Sequence, residues 1–325
     1  READMSAGWP LGDKELSIGI MGMTEGNGHP YSWSAMYNGF NKKYMDACPF
    51  PGIPAYLNKQ PPETIGIAGA HVTHVYCNNR ADAEDVSRCS LVPHVVDDPA
   101  DMIGKVDAVI CATDIGSEHV ERCRPFMEAG VPLFIDKPMA DTEEDLRTFV
   151  QWYDEGKHFL SSSSARYVKS MEPYYTHHYE LGQLMYVCQP MCKKWETYGI
   201  HALEEVFPLL GEGFLSIQNT GTFERNMIHI THASGCDVHI PLTAGMYGAF
   251  GCTLLIGSAG NKIIADGDSY YSFKKQNDIF VRYLRTGERP FPFTETIELI
   301  KMVIGGTRSR EEGGRKVLLS EIKER

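Results

Sequence analysis

The sequence predicts two domains, an N-terminal α/β unit with a doubly wound parallel sheet and a C-terminal α+β unit with a large, open, mostly antiparallel sheet. Three observations lead there. The chain has 325 residues, more than one ordinary core holds. Between residues 15 and 164, apolar strand-like runs alternate with helix-like runs at the spacing of βαβ units. After about residue 165 that rhythm gives way to a series of strands joined by Gly- and Asn-containing turns. The expected boundaries are a leader over 1–14, a first domain over 15–164 and a second over 165–325.

Residues 15–22, ending in Gly22, form a short apolar run that reads as a buried strand. A helix follows, with Pro30 in its first turn and Trp33, Met36, Tyr37 and Phe40 spaced along one face. The Pro/Gly-rich stretch within about 41–68 reads as an inserted surface loop, because its prolines exclude helix and central strand alike. Beyond it come strand 71–77, helix 80–89, a short strand near 91–96, a short helix near 98–104, strand 106–112, helix 117–129 and strand 131–135. A helix capped by Asp141 or Thr142 then turns Leu146, Phe149, Val150 and Tyr153 inward and stops at Gly156. A strand at 158–164 completes the first sheet. In the second domain the expected strands are 184–190, 214–220, 224–232, 236–244, 250–257 and 261–265. One helix is expected over 202–210, and two more, near 276–285 and 294–304, close the chain.

Hydrophobic residues are 42% and charged residues 23% of the chain, as in an ordinary globular protein. The net charge is -12 with no basic block, so the phosphate backbone of nucleic acid finds no electrostatic partner. No apolar run approaches the roughly 20 residues that a membrane helix needs. The polar stretch 1–13 has no apolar signal region, and a cytoplasmic protein is expected. Nine cysteines, an odd number scattered through apolar runs, read as reduced thiols. No metal site is expected. Cys188 and Cys192 lack a second pair nearby, and His71/His74 and His229/His232 sit at i,i+3 in strand-like runs, on opposite faces.

In an open parallel sheet, ligands bind outside the carboxyl ends of the strands. The first such turn, Gly22-Met23-Thr24-Glu25-Gly26-Asn27-Gly28-His29, is glycine-rich and leads from strand to helix. Backbone N–H groups in that setting can cradle a pyrophosphate. Thr24 stands where a G-x-G-x-x-G motif has its second glycine, so a plain tight turn remains the alternative. Gly22, Thr24, Gly26 and Asn27 are the candidate cofactor contacts here. The second strand ends at Asn78-Asn79-Arg80. Asn78 can bond a ribose hydroxyl and Arg80 can pair with a 2′-phosphate, which leaves NAD and NADP both open, as well as a turn that simply caps a helix. The fifth strand ends at Asp136-Lys137-Pro138. A lysine there, directed by the proline behind it, can hold a substrate hydroxyl beside a nicotinamide. A surface lysine in a strand-to-helix turn is the competing reading.

The stretch Thr113 to His119, the Ala129-Gly130 turn and Asp136-Lys137-Pro138 together resemble the Gfo/Idh/MocA family, named for glucose–fructose oxidoreductase and inositol dehydrogenase. The resemblance runs over nearly the whole chain. It takes in Arg166-Tyr167, Tyr198-Gly199-Ile200-His201 and the tail Arg308-Ser309-Arg310-Glu311-Glu312-Gly313-Gly314. It implies a Rossmann domain, a substrate-binding second domain, and hydride transfer at a carbohydrate or polyol carbon. Lys137 matches the family's catalytic lysine and His201 its acid/base or substrate-binding histidine. Thr113, His119, Asp136 and Lys137 fall on the cofactor side. A helix starting just after His201 would place its positive dipole end there and keep the imidazole neutral. Many members carry an aspartate four residues before this histidine; here the residue is Thr197, so Lys137 and His201 are expected to work alone or with Tyr198.

For the substrate, Trp195 can stack on a sugar ring, and Arg166, Tyr167, Lys193 or Lys194 can reach hydroxyls or a carboxylate. Adjoining lysines on a strand face opposite ways, so at most one lines the site. The expected function is an NAD(P)-dependent dehydrogenase or reductase of a sugar, inositol or related polyol. Two alternatives stand beside it: an NAD-dependent glycosidase working by transient oxidation and elimination, and a relative that binds without catalysis. The apolar surface of an open sheet suggests a homodimer or homotetramer. Neither nucleic acid nor membrane is an expected partner.

Overall fold

The computed structural model describes residues 8–246, 252–265 and 267–325; the first half of the expected 1–14 leader, residues 1–7, lies outside them. In chain order the first strands are β1 (Leu16–Gly22), β2 (Ala70–Cys77), β3 (His94–Val95), β4 (Ala108–Cys111), β5 (Leu133–Ile135) and β6 (Phe159–Ser161). The helices among them are α1 (His29–Asn38), α2 (Lys42–Met45), α3 (Gly52–Leu57), α4 (Arg80–Ser90), α5 (His119–Glu128) and α6 (Glu143–Asp154). Then come α7 (Glu172–Thr176), β7 (Leu184–Cys188), β8 (Met191–Cys192), α8 (Trp195–Leu210), β9 (Phe214–Asn219), β10 (Arg225–His232) and β11 (Asp237–Thr243). The chain closes with β12 (Cys252–Gly257), β13 (Asn261–Ala265), α9 (Ser269–Thr286), α10 (Phe293–Glu311) and β14 (Val317–Leu318). Two compact units result. One holds the residues up to Asp136 with Trp152–Ser161 and Phe273–Pro290; the other holds Lys137–Gln151, Ser162–Ser272 and Phe291–Arg325.

The first unit carries a six-stranded sheet in the order β3-β2-β1-β4-β5-β6, parallel throughout. The order reverses between β1 and β4, the switch point where such sheets bind ligands. Ile18 and Ile20 of β1 and Val109 and Ile110 of β4 are fully buried, as expected of strands covered on both faces. The 41–68 stretch is not the surface loop expected from its prolines. It folds into α2 and α3, where Pro51 and Pro54 occupy the start of α3, a position that needs no intrahelical N–H. Its side chains cover α1: a Cβ on Gly28 would lie 2.7 Å from Ile53 Cδ1 and from Phe50 Cδ2, and Ser32 Oγ bonds Tyr56 Oη. Every residue of α1 from Pro30 to Tyr37 is consequently buried, which is why it reads as less amphipathic than a surface helix.

The second unit carries an eight-stranded sheet in the order β13-β12-β7-β11-β10-β9-β14, with β8 also pairing β11. Most neighbours are antiparallel, but β7 and β8 run parallel to β11. The chain between β8 and β11 passes through α8, a crossover long enough to permit that direction. The expected strand 250–257 begins at Cys252 among the described residues; 250 and 251 lie outside them. Along β10 and β11, buried positions alternate with half-buried or exposed ones, so one face is packed and the other is open; Met227 of β10 and Leu215 of β9 are exposed.

Two helices of this unit are longer than expected, for one reason. Gly199 and the Gly305-Gly306 pair argue against helix by propensity. In the structure they make room for Trp195. A Cβ on Gly199 would lie 2.4 Å from the indole, one on Gly306 also 2.4 Å, and one on Gly305 would meet Ile217 Cγ2 at 2.6 Å. Close packing of α8 and α10 therefore outweighs the roughly 1 kcal/mol that each helical glycine costs.

Candidate active site

The candidate residues form two groups, one in each unit. In the first unit the strand ends supply the geometry. Gly22 closes β1 so near α1 that a Cβ would sit 2.8 Å from Pro30 Cγ. Gly26 has φ +75°, a left-handed conformation that favours glycine. The side chains of the turn are tied to neighbouring strand ends. Thr24 Oγ1 donates to Asp114 Oδ1 at 2.7 Å, and Asn27 Nδ2 donates to Asp136 Oδ2 at 3.1 Å. His29 Nδ1 lies 2.8 Å from the same Asp136 oxygen, and its ring stacks on Trp33 at 4.2 Å. The Asp136 carboxylate, 1% exposed, thus fixes the turn from the end of β5. The Asn78 N–H bonds Gly22 O at 3.1 Å, joining the ends of β2 and β1.

Two cofactor-side expectations change. His119 is fully buried and its Nε2 donates to the Thr113 carbonyl at 2.6 Å, so it shapes the turn after β4 instead of facing a ligand. Arg80 points to surface carboxylates, pairing with Glu84 at 2.9 Å and with Asp97. The cation at Asn78 is Arg122, whose two terminal nitrogens each lie 3.2 Å from Asn78 Oδ1. Nothing local in the sequence marks Arg122, because α5 brings it from 44 residues away.

In the second unit, Lys137 is 3% exposed. Its ammonium donates to the Thr197 carbonyl at 3.1 Å and lies 4.2 Å from the Tyr198 ring centroid. His201 meets the same ring edge-on at 4.7 Å. Lys193 donates to Tyr198 Oη at 2.8 Å and sits 4.3 Å from that ring. The structure therefore joins Lys137, Tyr198 and His201 and adds Lys193. Lys194 is exposed at the N-cap of α8. Strand alternation fails as a guide because Lys193 takes φ +64° between β8 and α8, a conformation that costs a non-glycine residue about 1 kcal/mol or more.

Other substrate-side expectations are corrected by burial. Trp195 is fully buried, donates Nε1 to Val303 O at 2.9 Å, and has its ring packed by Gly199 and Gly306. No face is left for a sugar. Arg166, 8% exposed, pairs with Glu204 at 2.9 Å and with Glu295, and lies 3.7 Å over the Phe291 ring. Burial works against its charge, yet the two carboxylates outweigh that and hold the guanidinium above its ordinary value. Burial pushes the Glu204 carboxyl up, with Arg166 opposing. Tyr167 follows in the same turn, half-buried, its phenol pushed up mainly by burial. His201 lies in the second turn of α8, not at its start, so the helix dipole, which acts within the first turn, loses its force there. Its partner is Ser163, whose Oγ lies 2.6 Å from His201 Nδ1.

Residues 52–163 match the Gfo/Idh/MocA family model, described as an oxidoreductase family with an NAD-binding Rossmann fold. That stretch, about a third of the chain, is similar to the Gfo/Idh/MocA oxidoreductases. The matched stretch includes Asp136-Lys137-Pro138 and begins after the glycine turn. What the match supports is the NAD-binding Rossmann fold of an oxidoreductase family over that stretch. Solved structures are similar in fold over nearly the whole chain. Myo-inositol 2-dehydrogenase from Lactobacillus plantarum is 14% identical with a TM-score of 0.72, covering 94% of this chain and 99% of its own. Myo-inositol dehydrogenase from Lactobacillus casei, in complex with NAD(H) and myo-inositol, is 15% identical with a TM-score of 0.71, covering 93% and 96%. An oxidoreductase from Agrobacterium radiobacter, in complex with NAD+, L-tartaric acid and magnesium, is 13% identical with a TM-score of 0.70, covering 95% and 100%. No curated protein matches by sequence. The first unit fits a dinucleotide: β1 ends without a side chain at Gly22, and Asn78 with Arg122 offers polar groups where the adenosine ribose belongs. No helix of the described residues is long and apolar enough to cross a membrane.

Proposed function

We propose that this protein moves a hydride between a nicotinamide and a secondary hydroxyl or ketone of a sugar, inositol or related polyol. The observation that carries the reading is the buried Lys137 ammonium, grouped with Tyr198 and His201 in the second unit. When bound, the nicotinamide supplies the hydride acceptor or donor. The chain supplies the proton handling. Lys137 holds the substrate oxygen and takes or returns its proton, while the Thr197 carbonyl fixes the direction of its Nζ. His201 and Tyr198 orient neighbouring hydroxyls, and Lys193 keeps the Tyr198 phenol in place through its hydrogen bond. The inositol in one structural neighbour supports a polyol over a simple alcohol.

Calorimetric titration of NAD, NADH, NADP and NADPH, followed by a carbohydrate and polyol panel read by nicotinamide absorbance, tests the reading. Absence of binding by all four nucleotides would overturn it. Nine free cysteines support a reducing compartment, the cytoplasm. Exposed Tyr186, Leu215, Met227, Ile256 and Leu318 on the second sheet support self-association as a dimer or tetramer. Light scattering showing only monomer at micromolar concentration would contradict it.

A further inference from the structure

We propose that Ser163 is the positioning residue of His201, holding its imidazole in the neutral tautomer with the proton on Nε2. The proposal rests on the reading that His201 serves the reaction, and it answers how the histidine is held without the aspartate that Thr197 replaces. Ser163 is fully buried and His201 is 4% exposed. The Ser163 hydroxyl already accepts the Ala165 N–H at 3.0 Å. Its own proton needs an acceptor, and among the described residues the one within reach is His201 Nδ1, at 2.6 Å. Were Nδ1 protonated instead, both groups would offer hydrogens to each other and the serine proton would be buried without an acceptor.

The backbone beneath the serine is held in place. Its N–H donates to Glu204 Oε1 at 3.2 Å, and Glu204 is clamped by Arg166, which also reaches Glu295. The pair thus works differently from an acid–histidine pair. A carboxylate favours a proton on Nδ1 and stabilises imidazolium; a donated hydroxyl opposes both. Charged or titratable groups around the ring include Tyr198 at its edge, Lys137 and Lys193 on that tyrosine, and Glu204 with Arg166 behind the serine. His201 then carries its proton on Nε2 as a donor, and proton transfer falls to Lys137.

Long-range ¹H–¹⁵N correlation spectra of the full chain, labelled with ¹⁵N-histidine and recorded between about pH 6 and 8, read the tautomer directly. His201→Gln identifies the His201 signals among the twelve histidines. The expected spectrum shows Nε2 protonated and Nδ1 as an acceptor across the range. Ser163→Ala is expected to lose that preference and Ser163→Thr to restore it. A wild-type ring protonated on Nδ1, an imidazolium through this range, or an unchanged pattern in Ser163→Ala would overturn the proposal. If Ser163→Ala does not fold, the wild-type spectrum decides alone. The measurement needs neither substrate nor nicotinamide, so its failure leaves the dehydrogenase reading standing, and the failure of that reading leaves the tautomer result intact.

Discussion

Helices α1 and α8 both open beside candidate chemistry, and they are placed by different means. The start of α1 is set by the sheet edge: β1 ends at Gly22, Asn27 Oδ1 accepts the His29 N–H at 2.9 Å, and Asp136 at the end of β5 holds both side chains. The start of α8 is set from a distance. Trp195, its first residue, is held by the Val303 carbonyl and by glycines on two helices. Where strand ends place the chemistry, the topology of the parallel sheet brings distant residues together at one edge, as Asp114 and Asp136 meet the turn after β1. Where a packed helix places it, the partner of each functional side chain arrives from elsewhere, as Ser163 does for His201.

The largest expected effect tests the second region. Lys137→Ala should lower kcat/KM roughly 10²- to 10⁴-fold, the range for a lost acid/base group, with nicotinamide affinity by calorimetry largely kept. Next, Trp195→Ala should cost about 3–5 kcal/mol in urea unfolding, as for other fully buried large aromatics. A tryptophan that served as a sugar platform would instead change KM at unchanged stability. In the first region, Gly28→Ala should cost about 1–3 kcal/mol, because its methyl would press on Phe50 and Ile53. Adding Phe50→Ala should recover part of that loss, a coupling that a solvent-facing loop would not show.

A smaller effect is expected from pH. Burial, with Arg289 and Lys157, holds the His158 imidazole below its usual value of 6.5, and burial with His94 and Lys105 does the same for His74. Both are neutral in the folded first unit and gain a proton more readily when unfolded. The stability they contribute is therefore present above about pH 6.5 and is lost as pH falls toward their depressed folded values. The midpoint of thermal unfolding should drop between about pH 7 and 5 in this window, and less steeply in His158→Gln. The smallest effect should be that of Arg80→Ala, which leaves the affinities for NADP and NADPH unchanged. Arg122→Ala should weaken nucleotide binding, and the reverse ranking would restore Arg80 to the site.

The first sheet is legible almost strand by strand, because apolar runs between helix-like stretches map directly onto buried parallel strands. The departures from expectation share a cause. Prolines in 41–68 and glycines at 199, 305 and 306 are poor helix formers by local propensity, and packing against α1, Trp195 and Ile217 overrides that preference at each position. Arg166 and Trp195 read as available because polar and aromatic side chains near a site usually are. Their burial depends on Glu204, Glu295 and Gly306, which lie far along the chain.

Periodicity and strand-end motifs are local properties, and they suffice for the two-part architecture, the order of the strand ends and the position of Lys137 after β5. Which side chains accompany that lysine is a matter of packing alone. Lys193 replaces Lys194 through a left-handed backbone residue, Ser163 takes the place of an acid at His201, and Arg122 takes the place of Arg80 at Asn78. Each of these depends on where a hydrogen-bond partner 5 to 44 residues away comes to rest. Spacing along the chain does not encode that distance; packing within each unit does.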